Sequence, residues 1–172
     1  MTLSARLLDA YRHTRYEAGT AAAFITRRSA DMDRLLAAHR VRTAVFVTAW
    51  NPLSRRMPVR WNTRMQGRLK QRLRRCVTLP AQGSWRRWRE DHFLVLAPLR
   101  LVVRLAREFR QAAVVIVKRG QAAALMISLP VFSPVNNMPS ARGALSSPST
   151  TWSRWRSRPP RICAESHARA SA

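Results

Sequence analysis

Apolar positions along this chain follow two periods, and together they predict helices alternating with strands. Spacings of three and four residues, typical of a buried helix face, occur at residues 3–11, 32–39, 61–73 and 99–109. The second of these helices is predicted to place His39 on its buried face. Short β-branched or apolar runs, typical of strands, lie at residues 21–26, 43–50, 76–79, 92–97, 112–117 and 122–129. Residues 80–89 are predicted to be a loop.

This alternation predicts an α/β fold of the mixed α+β kind, in which about three helices pack on a central mixed sheet. Residues 1–130 are expected to form one small domain. After Pro130 the chain is rich in Ser, Pro, Arg and Ala and has no sustained apolar period. Residues 131–172 are therefore predicted to be a disordered tail.

Several protein classes are excluded by the lengths of the apolar runs and by the spacing of cysteine, histidine and glycine. No apolar run approaches the roughly 18 residues of a membrane-spanning helix, and the first residues lack the apolar stretch of a secretory signal. Cys76 and Cys163 have no metal or redox spacing, as expected of reduced thiols in a cytoplasmic protein. The histidines show no metal-ligand spacing, and there is no glycine-rich phosphate loop. We therefore expect neither a metal nor a cofactor.

Charge points to polyanionic partners. The chain has 32 Lys and Arg against 8 Asp and Glu, a formal net charge of +24, and only Lys70 and Lys118 are lysines. A GC-rich gene explains arginine in place of lysine but not the shortage of acids. The excess of positive charge favours non-specific binding to polyanions.

Arginines also form a pattern of their own on the helix at 61–73. They recur every four residues, one position before the apolar residues, which predicts a basic ridge beside the buried face. Residues 85–89 interleave Trp with Arg, a combination used to bind single-stranded nucleic acid. The expected nucleic-acid contacts are Arg60, Arg64, Arg68, Arg72, Arg86 and Arg87. The alternative is a solvated face with composition-driven arginine, and no known nucleic-acid-binding fold has its signature here.

A candidate pocket lies where the strand at 43–50 ends in a polar turn. Ligand sites in open α/β sheets gather beyond the carboxyl ends of strands. The sequence places Asn62 early in the following helix and Gln111 at a helix-to-strand junction. The expected pocket residues are Thr48, Trp50, Asn51, Ser54, Asn62, Glu90 and Gln111. The alternative is that these amides only cap turns and satisfy buried backbone groups.

Glu90 and Asp91 form a weak acid–base pair, because neighbours in a strand point to opposite faces. No catalytic residue can be assigned, and whether the protein is an enzyme stays open.

The order of these pieces resembles a bacterial family, domain of unknown function 3293, over residues of about 11–130. The similar segments are 11–16, 35–39, TAWNPLS at 48–54, Asn62, WREDHFLVL at 88–96 and REFRQAAV at 107–114. The resemblance implies a small, soluble, single-domain bacterial protein of mixed α/β type, and it implies no activity.

Three functions fit these patterns. The first is binding of nucleic acid or another polyanion through the arginine-rich surface. The second is a small-ligand-binding protein or enzyme that uses the TAWNP pocket, and the third is an interaction module without a ligand. Clustering of Trp50, Asn51, Asn62 and Gln111 around one cavity would favour the second. A continuous arginine face far from them would favour the first. The sequence leaves the oligomeric state unknown.

Overall fold

The computed structural model describes residues 3–128, and the predicted tail at 131–172 lies outside the described residues. The fold is mixed α+β, as predicted. Its helices are α1 (Ala5–His13), α2 (Ala30–Ala38), α3 (Val59–Arg72) and α4 (Leu99–Glu108). Its strands are β1 (Arg15–Ala18), β2 (Ala21–Ala23), β3 (Thr43–Val47), β4 (Val77–Trp85), β5 (Trp88–Leu96), β6 (Ala113–Lys118) and β7 (Ala124–Ile127).

The strands form one sheet in the order β2-β1-β4-β5-β3-β6-β7, and each neighbouring pair is antiparallel. The prediction of a mixed sheet is therefore wrong. The reason lies in the position of β3, which sits between β5 and β6. Helix α4 carries the chain from β5 to β6, which run in the same direction, but it crosses over β3 on the way. The helix–strand alternation of the sequence therefore does not produce adjacent parallel strands.

The prediction of a loop at residues 80–89 is also wrong. β4 and β5 pair continuously from Val77↔Leu96 to Trp85↔Trp88. Pro80 is compatible with this hairpin because β1 pairs only with Ala81 to Ser84, so Pro80 needs no hydrogen bond on that side. Strand β1 is a further element that the apolar pattern does not predict.

The core fills both faces of the sheet. Strand β3 is buried on both sides, as its unbroken apolar run predicts, with Ala44 to Val47 at most 1% exposed. Phe46 packs on one face with Met32 and Leu36 of α2. Val45 and Val47 pack on the other with Leu69 of α3 and with α4. On α2 the prediction for His39 is wrong, because this residue follows the last helical turn and is exposed.

None of the helices in residues 3–128 is long and apolar enough to cross a membrane.

One glycine is needed for a close approach within the hairpin. Gly83 on β4 lies opposite Glu90 on β5, and a Cβ on Gly83 would be 2.9 Å from Cε1 of His92. His92 is buried, and its ring meets the Tyr16 ring edge-on with 5.7 Å between centroids. The side chain of His92 therefore has no space to retreat without disturbing its neighbours.

We expect Gly83→Ala to lower the free energy of unfolding by about 1–3 kcal/mol, because it overpacks a filled site. Gly67→Ala is the matched control: Gly67 lies on α3 with nothing within 4 Å of an added Cβ. There alanine should stabilise by up to about 1 kcal/mol through its higher helix propensity. Denaturant unfolding of both variants measures the difference, and equal stabilities would contradict the close approach.

Candidate ligand cavity at the end of strand β3

Hydrogen bonds fix the chain directly beyond β3. The Thr48 hydroxyl donates to the carbonyl oxygen of Asp91 at 2.7 Å and accepts from the Trp50 amide at 3.0 Å. The buried side chain of Gln66 accepts from the Ala49 amide at 2.9 Å and donates to the same Asp91 carbonyl at 3.1 Å. The end of β3 is thereby tied to both β5 and α3, which determines where the following turn projects.

The turn itself is strained. Asn51, Leu53 and Ser54 have φ of 46°, 53° and 59°, in the left-handed region that favours glycine. Such conformations cost of order 1–3 kcal/mol each and persist where surrounding contacts enforce them. One such contact is the Leu53 amide, which donates to the carbonyl oxygen of Arg110 at 2.8 Å.

A reciprocal pair of amides holds Asn51 in place. The Asn51 backbone amide donates to Oδ1 of Asn62 at 3.0 Å, and Nδ2 of Asn62 donates to Oδ1 of Asn51 at 3.1 Å. The Met57 amide also donates to Oδ1 of Asn51, at 2.8 Å. Nδ2 of Asn51 then donates to Oε1 of Glu90. Both asparagines therefore stabilise the turn by bonding backbone groups, as the alternative of a purely structural role expects. Asn51 also positions the carboxyl group of Glu90.

Gln111 links a second junction to the same turn. It is buried, and its Nε2 donates to the carbonyl oxygens of Trp50 at 2.9 Å and Phe109 at 3.3 Å. The segment between α4 and β6 is thus attached to the turn after β3.

These elements enclose one cavity of about 780 Å³. All the predicted pocket residues line it: Thr48, Trp50, Asn51, Ser54, Asn62, Glu90 and Gln111. Five aromatic side chains also line it: Tyr11, Tyr16, Phe46, Trp85 and Trp88. The exposed side chains of Val59 and Arg56 also line it, so the cavity opens to solvent at the start of α3. That a ligand binds there stays a prediction.

The buried ionisable groups at this cavity have displaced pKa values. Burial raises the pKa of Glu90 to about 7, against a smaller opposing effect of the Asn51 hydrogen bond. Burial lowers the pKa of His92 to about 4, so this imidazole is neutral at pH 7. Burial also raises the pKa of Tyr11 to about 12, and it raises the pKa of Tyr16 as well. The interior therefore presents neutral groups and one carboxyl that titrates near neutrality.

One hydrogen-bond donor at the cavity has no acceptor among the described residues. Nε1 of Trp50 is buried and has no hydrogen-bond partner among the described residues. An unsatisfied buried N–H costs about 1–3 kcal/mol, so it is rarely left without a partner.

The arginines predicted to bind nucleic acid are divided between two surfaces. Arg60, Arg64 and Arg68 are exposed on α3. Arg72 forms an ion pair with Glu108 at 2.9 Å. At the turn between β4 and β5, the guanidinium of Arg86 lies 4.9 Å from the centroid of the Trp85 ring. Of the predicted set, only Arg87 lines the cavity.

Sequence reasoning missed Gln66, Tyr11, Tyr16 and His92. A signal for Gln66 was present: it follows Asn62 by four residues, so both amides share the helix face of Leu69 and Leu73. Asn62, Gln66 and Leu69 are the buried residues of α3, whereas Trp61 is only partly buried. The tyrosines come from α1 and β1, far along the chain from the TAWNP turn, and no local spacing relates them to it.

Within residues 3–128, no three potential metal-ligating side chains come together.

Fold and site together define a mixed α+β protein with an aromatic-lined cavity next to a strained asparagine turn. Residues 47–114 match the model of a family described as Protein of unknown function (DUF3293). The match confirms the resemblance to this family, and it includes the whole turn, Asn62, Glu90 and Gln111. No curated protein and no solved structure matches the chain.

The raised pKa of Glu90 predicts a specific dependence of stability on pH. The unfolded chain loses this proton near pH 4.5, whereas the folded chain keeps it up to about pH 7. Stability therefore falls as pH rises through this window, by about 3 kcal/mol in total. Glu90→Gln, which stays neutral, should avoid this loss. The difference in free energy of unfolding between Glu90→Gln and the unsubstituted protein should therefore increase from pH 4.5 to 7 and then stay constant.

Denaturant unfolding at several pH values measures this difference. The groups that act on Glu90 are Asn51, which cannot titrate, and Tyr11 and Tyr16, which stay neutral here. His92 works in the opposite direction, since stability is lost as pH falls from 6.5 through 4, but it is common to both proteins. Asp91→Asn, on the exposed face of β5, is the control. A pH-independent difference for Glu90→Gln would contradict the prediction.

Proposed function

We propose that this protein binds a small, planar organic molecule in the cavity at the end of β3. The observation that carries the proposal is the convergence of aromatic walls and polar groups from α1, β3, α3, β5 and the α4–β6 junction on one space. Its volume of about 780 Å³ falls within the range usual for small-molecule sites. Mostly apolar walls with a few oriented polar groups are typical of such sites.

Three further features support a ligand rather than a cavity of purely structural origin. Backbone strain concentrates at Asn51, Leu53 and Ser54, and strain of this kind clusters at ligand sites. The indole N–H of Trp50 lacks a partner, and a ligand acceptor would satisfy it. The carboxyl group of Glu90, with its pKa near 7, would accept a hydrogen bond from an N–H or O–H of the ligand.

Filling the cavity tests this proposal. Ala10 lies on α1 and lines the cavity, so Ala10→Trp should place an indole in the space a ligand needs. Ala37 lies exposed on α2 away from the cavity, so Ala37→Trp is the matched control. Ligand-observed NMR with a set of small ring compounds should detect binding to the unsubstituted protein and to Ala37→Trp. For Ala10→Trp we expect affinity to fall at least about tenfold, the effect of 1.4 kcal/mol.

A second variant covers the case in which Ala10→Trp fails to fold. Asn51→Ala removes the amide that donates to Glu90, and we expect it to abolish ligand binding. Circular dichroism confirms that each variant is folded. If no ring compound binds the unsubstituted protein, or if binding survives in the folded Ala10→Trp variant, the proposal is wrong.

Nucleic-acid binding is the second candidate, favoured by a different surface. Arg60, Arg64 and Arg68 are exposed along α3 and have no ion pair with a described residue. With a net charge of +24, such a face would attract a phosphate backbone without reading its sequence.

A salt series distinguishes this candidate. Binding of a labelled single-stranded oligonucleotide, followed by fluorescence anisotropy, should weaken by about 0.7 log units per contacted phosphate for each log unit of salt. Arg60→Ala/Arg64→Ala should reduce that slope. Arg100→Ala/Arg104→Ala removes the same charge from the exposed side of α4 and should leave the slope unchanged. A slope that responds equally to both double variants would argue against a binding face on α3.

A further inference from the structure

Three exposed arginines lie at the opening of the cavity. Arg56, in the segment before α3, and Arg87, in the turn between β4 and β5, both line the cavity and are exposed. Neither makes an ion pair with any residue in the described part of the chain. Arg89 lines the same cavity and is also exposed. A cluster of unpaired guanidinium groups at an opening attracts anions and can hold a carboxylate or phosphate by paired hydrogen bonds.

The only acid that lines the cavity within residues 3–128 does not neutralise this cluster. Glu90 is 7% exposed, and its carboxyl group is engaged by Asn51 rather than by an arginine. Burial keeps much of this carboxyl protonated at neutral pH. The positive charge at the opening is therefore available to a ligand.

Helix α3 adds to the same field. It begins at Val59, which lines the cavity, and spans 14 residues. Its first turn has no acidic residue and its N-cap, Pro58, provides no side-chain hydrogen bond. The positive end of the helix dipole is thus left uncompensated at the opening, where it favours a negative group.

The walls beyond the opening have the opposite character. Phe46 and Tyr16 are buried, and their rings pack against each other with 5.6 Å between centroids. Trp50 adds an indole with a free donor. This interior suits an aromatic ring rather than a charge, since a charge buried there would lose its hydration.

We infer that the ligand is an anionic aromatic compound, with its ring among the aromatic walls and its phosphate or carboxylate on Arg56 and Arg87. The inference rests on the proposed function, because it specifies the chemistry of the ligand in that cavity. The cavity is neutral and offers hydrogen-bonding groups inside, and it is cationic at the opening. An anionic aromatic ligand would match this distribution of charge.

Matched pairs of compounds test this inference by titration calorimetry on the full chain. One arm compares adenosine 5′-monophosphate with adenosine, and the other compares indole-3-acetate with indole-3-acetamide. We expect the anionic member of at least one pair to bind about tenfold or more tightly than its uncharged partner, as one charge-assisted contact supplies. The arm that shows the larger ratio identifies phosphate or carboxylate as the group bound.

Two double variants locate the charge effect. Arg56→Ala/Arg87→Ala should bring the two members of the pair to similar affinity. Arg100→Ala/Arg104→Ala removes the same net charge from the exposed side of α4, which does not line the cavity, and it should leave the ratio unchanged. Both pairs of arginines are exposed, so neither double variant disturbs the core.

The outcomes separate this inference from the proposed function. If uncharged ring compounds bind as tightly as anionic ones, and Ala10→Trp blocks them, the ligand class is wrong while the cavity remains a binding site. The same conclusion follows if neither anionic compound binds but other ring compounds do. If the ratio falls equally in both double variants, the effect is due to net charge and the inference is overturned. If no ring compound of any charge binds, the proposed function itself fails.

Discussion

The reciprocal amide pair of Asn51 and Asn62 is the interaction on which the cavity depends. Its hydrogen bonds of 3.0 and 3.1 Å join the turn after β3 to the first turns of α3. They offset the cost of left-handed backbone at Asn51, which few residues other than glycine adopt but which asparagine tolerates best. With Asn51 so placed, its remaining donor reaches Glu90, so one short segment shapes the wall and positions the carboxyl group, whose pKa is raised by burial.

The site was more predictable from sequence than the topology. Polar residues that directly follow an apolar run, or that lie at a junction between two runs, are expected at the ends of the strands. For this reason Asn51, Asn62 and Gln111 could be grouped without knowing how the strands pair. Strand order is a non-local property: nothing in residues 43–47 indicates that β3 inserts between β5 and β6.

Other errors have local causes. The β4–β5 hairpin was missed because Pro80 and Gly83 usually mark a loop, and here each is accommodated by a particular neighbour. Gln66 was missed because an amide on a helix is expected to face solvent. In its buried position Gln66 accepts from the Ala49 amide and donates to the Asp91 carbonyl, which also accepts from Thr48. The helix face that Gln66 shares with Leu69 and Leu73 indicates that it is buried, but a single-sequence pattern does not show which backbone groups of another segment it satisfies.

The hairpin turn that joins β4 to β5 determines which acid lies in the cavity. Trp85 pairs with Trp88 across only Arg86 and Arg87, and Arg86 has a φ of 54°. Along β5, Glu90 is buried in the cavity wall while Asp91 is exposed on the opposite face. Because strand side chains alternate, a shift of β5 by one residue toward the turn would bring Asp91 to the place of Glu90 and turn Glu90 to the exposed face. Asp91, one methylene shorter, would then face Asn51, and His92 would move to solvent. The length of this turn therefore determines the acidity of the cavity: deletion of Arg86, which does not line the cavity, would place Asp91 in the wall while leaving every residue of the present wall in the sequence.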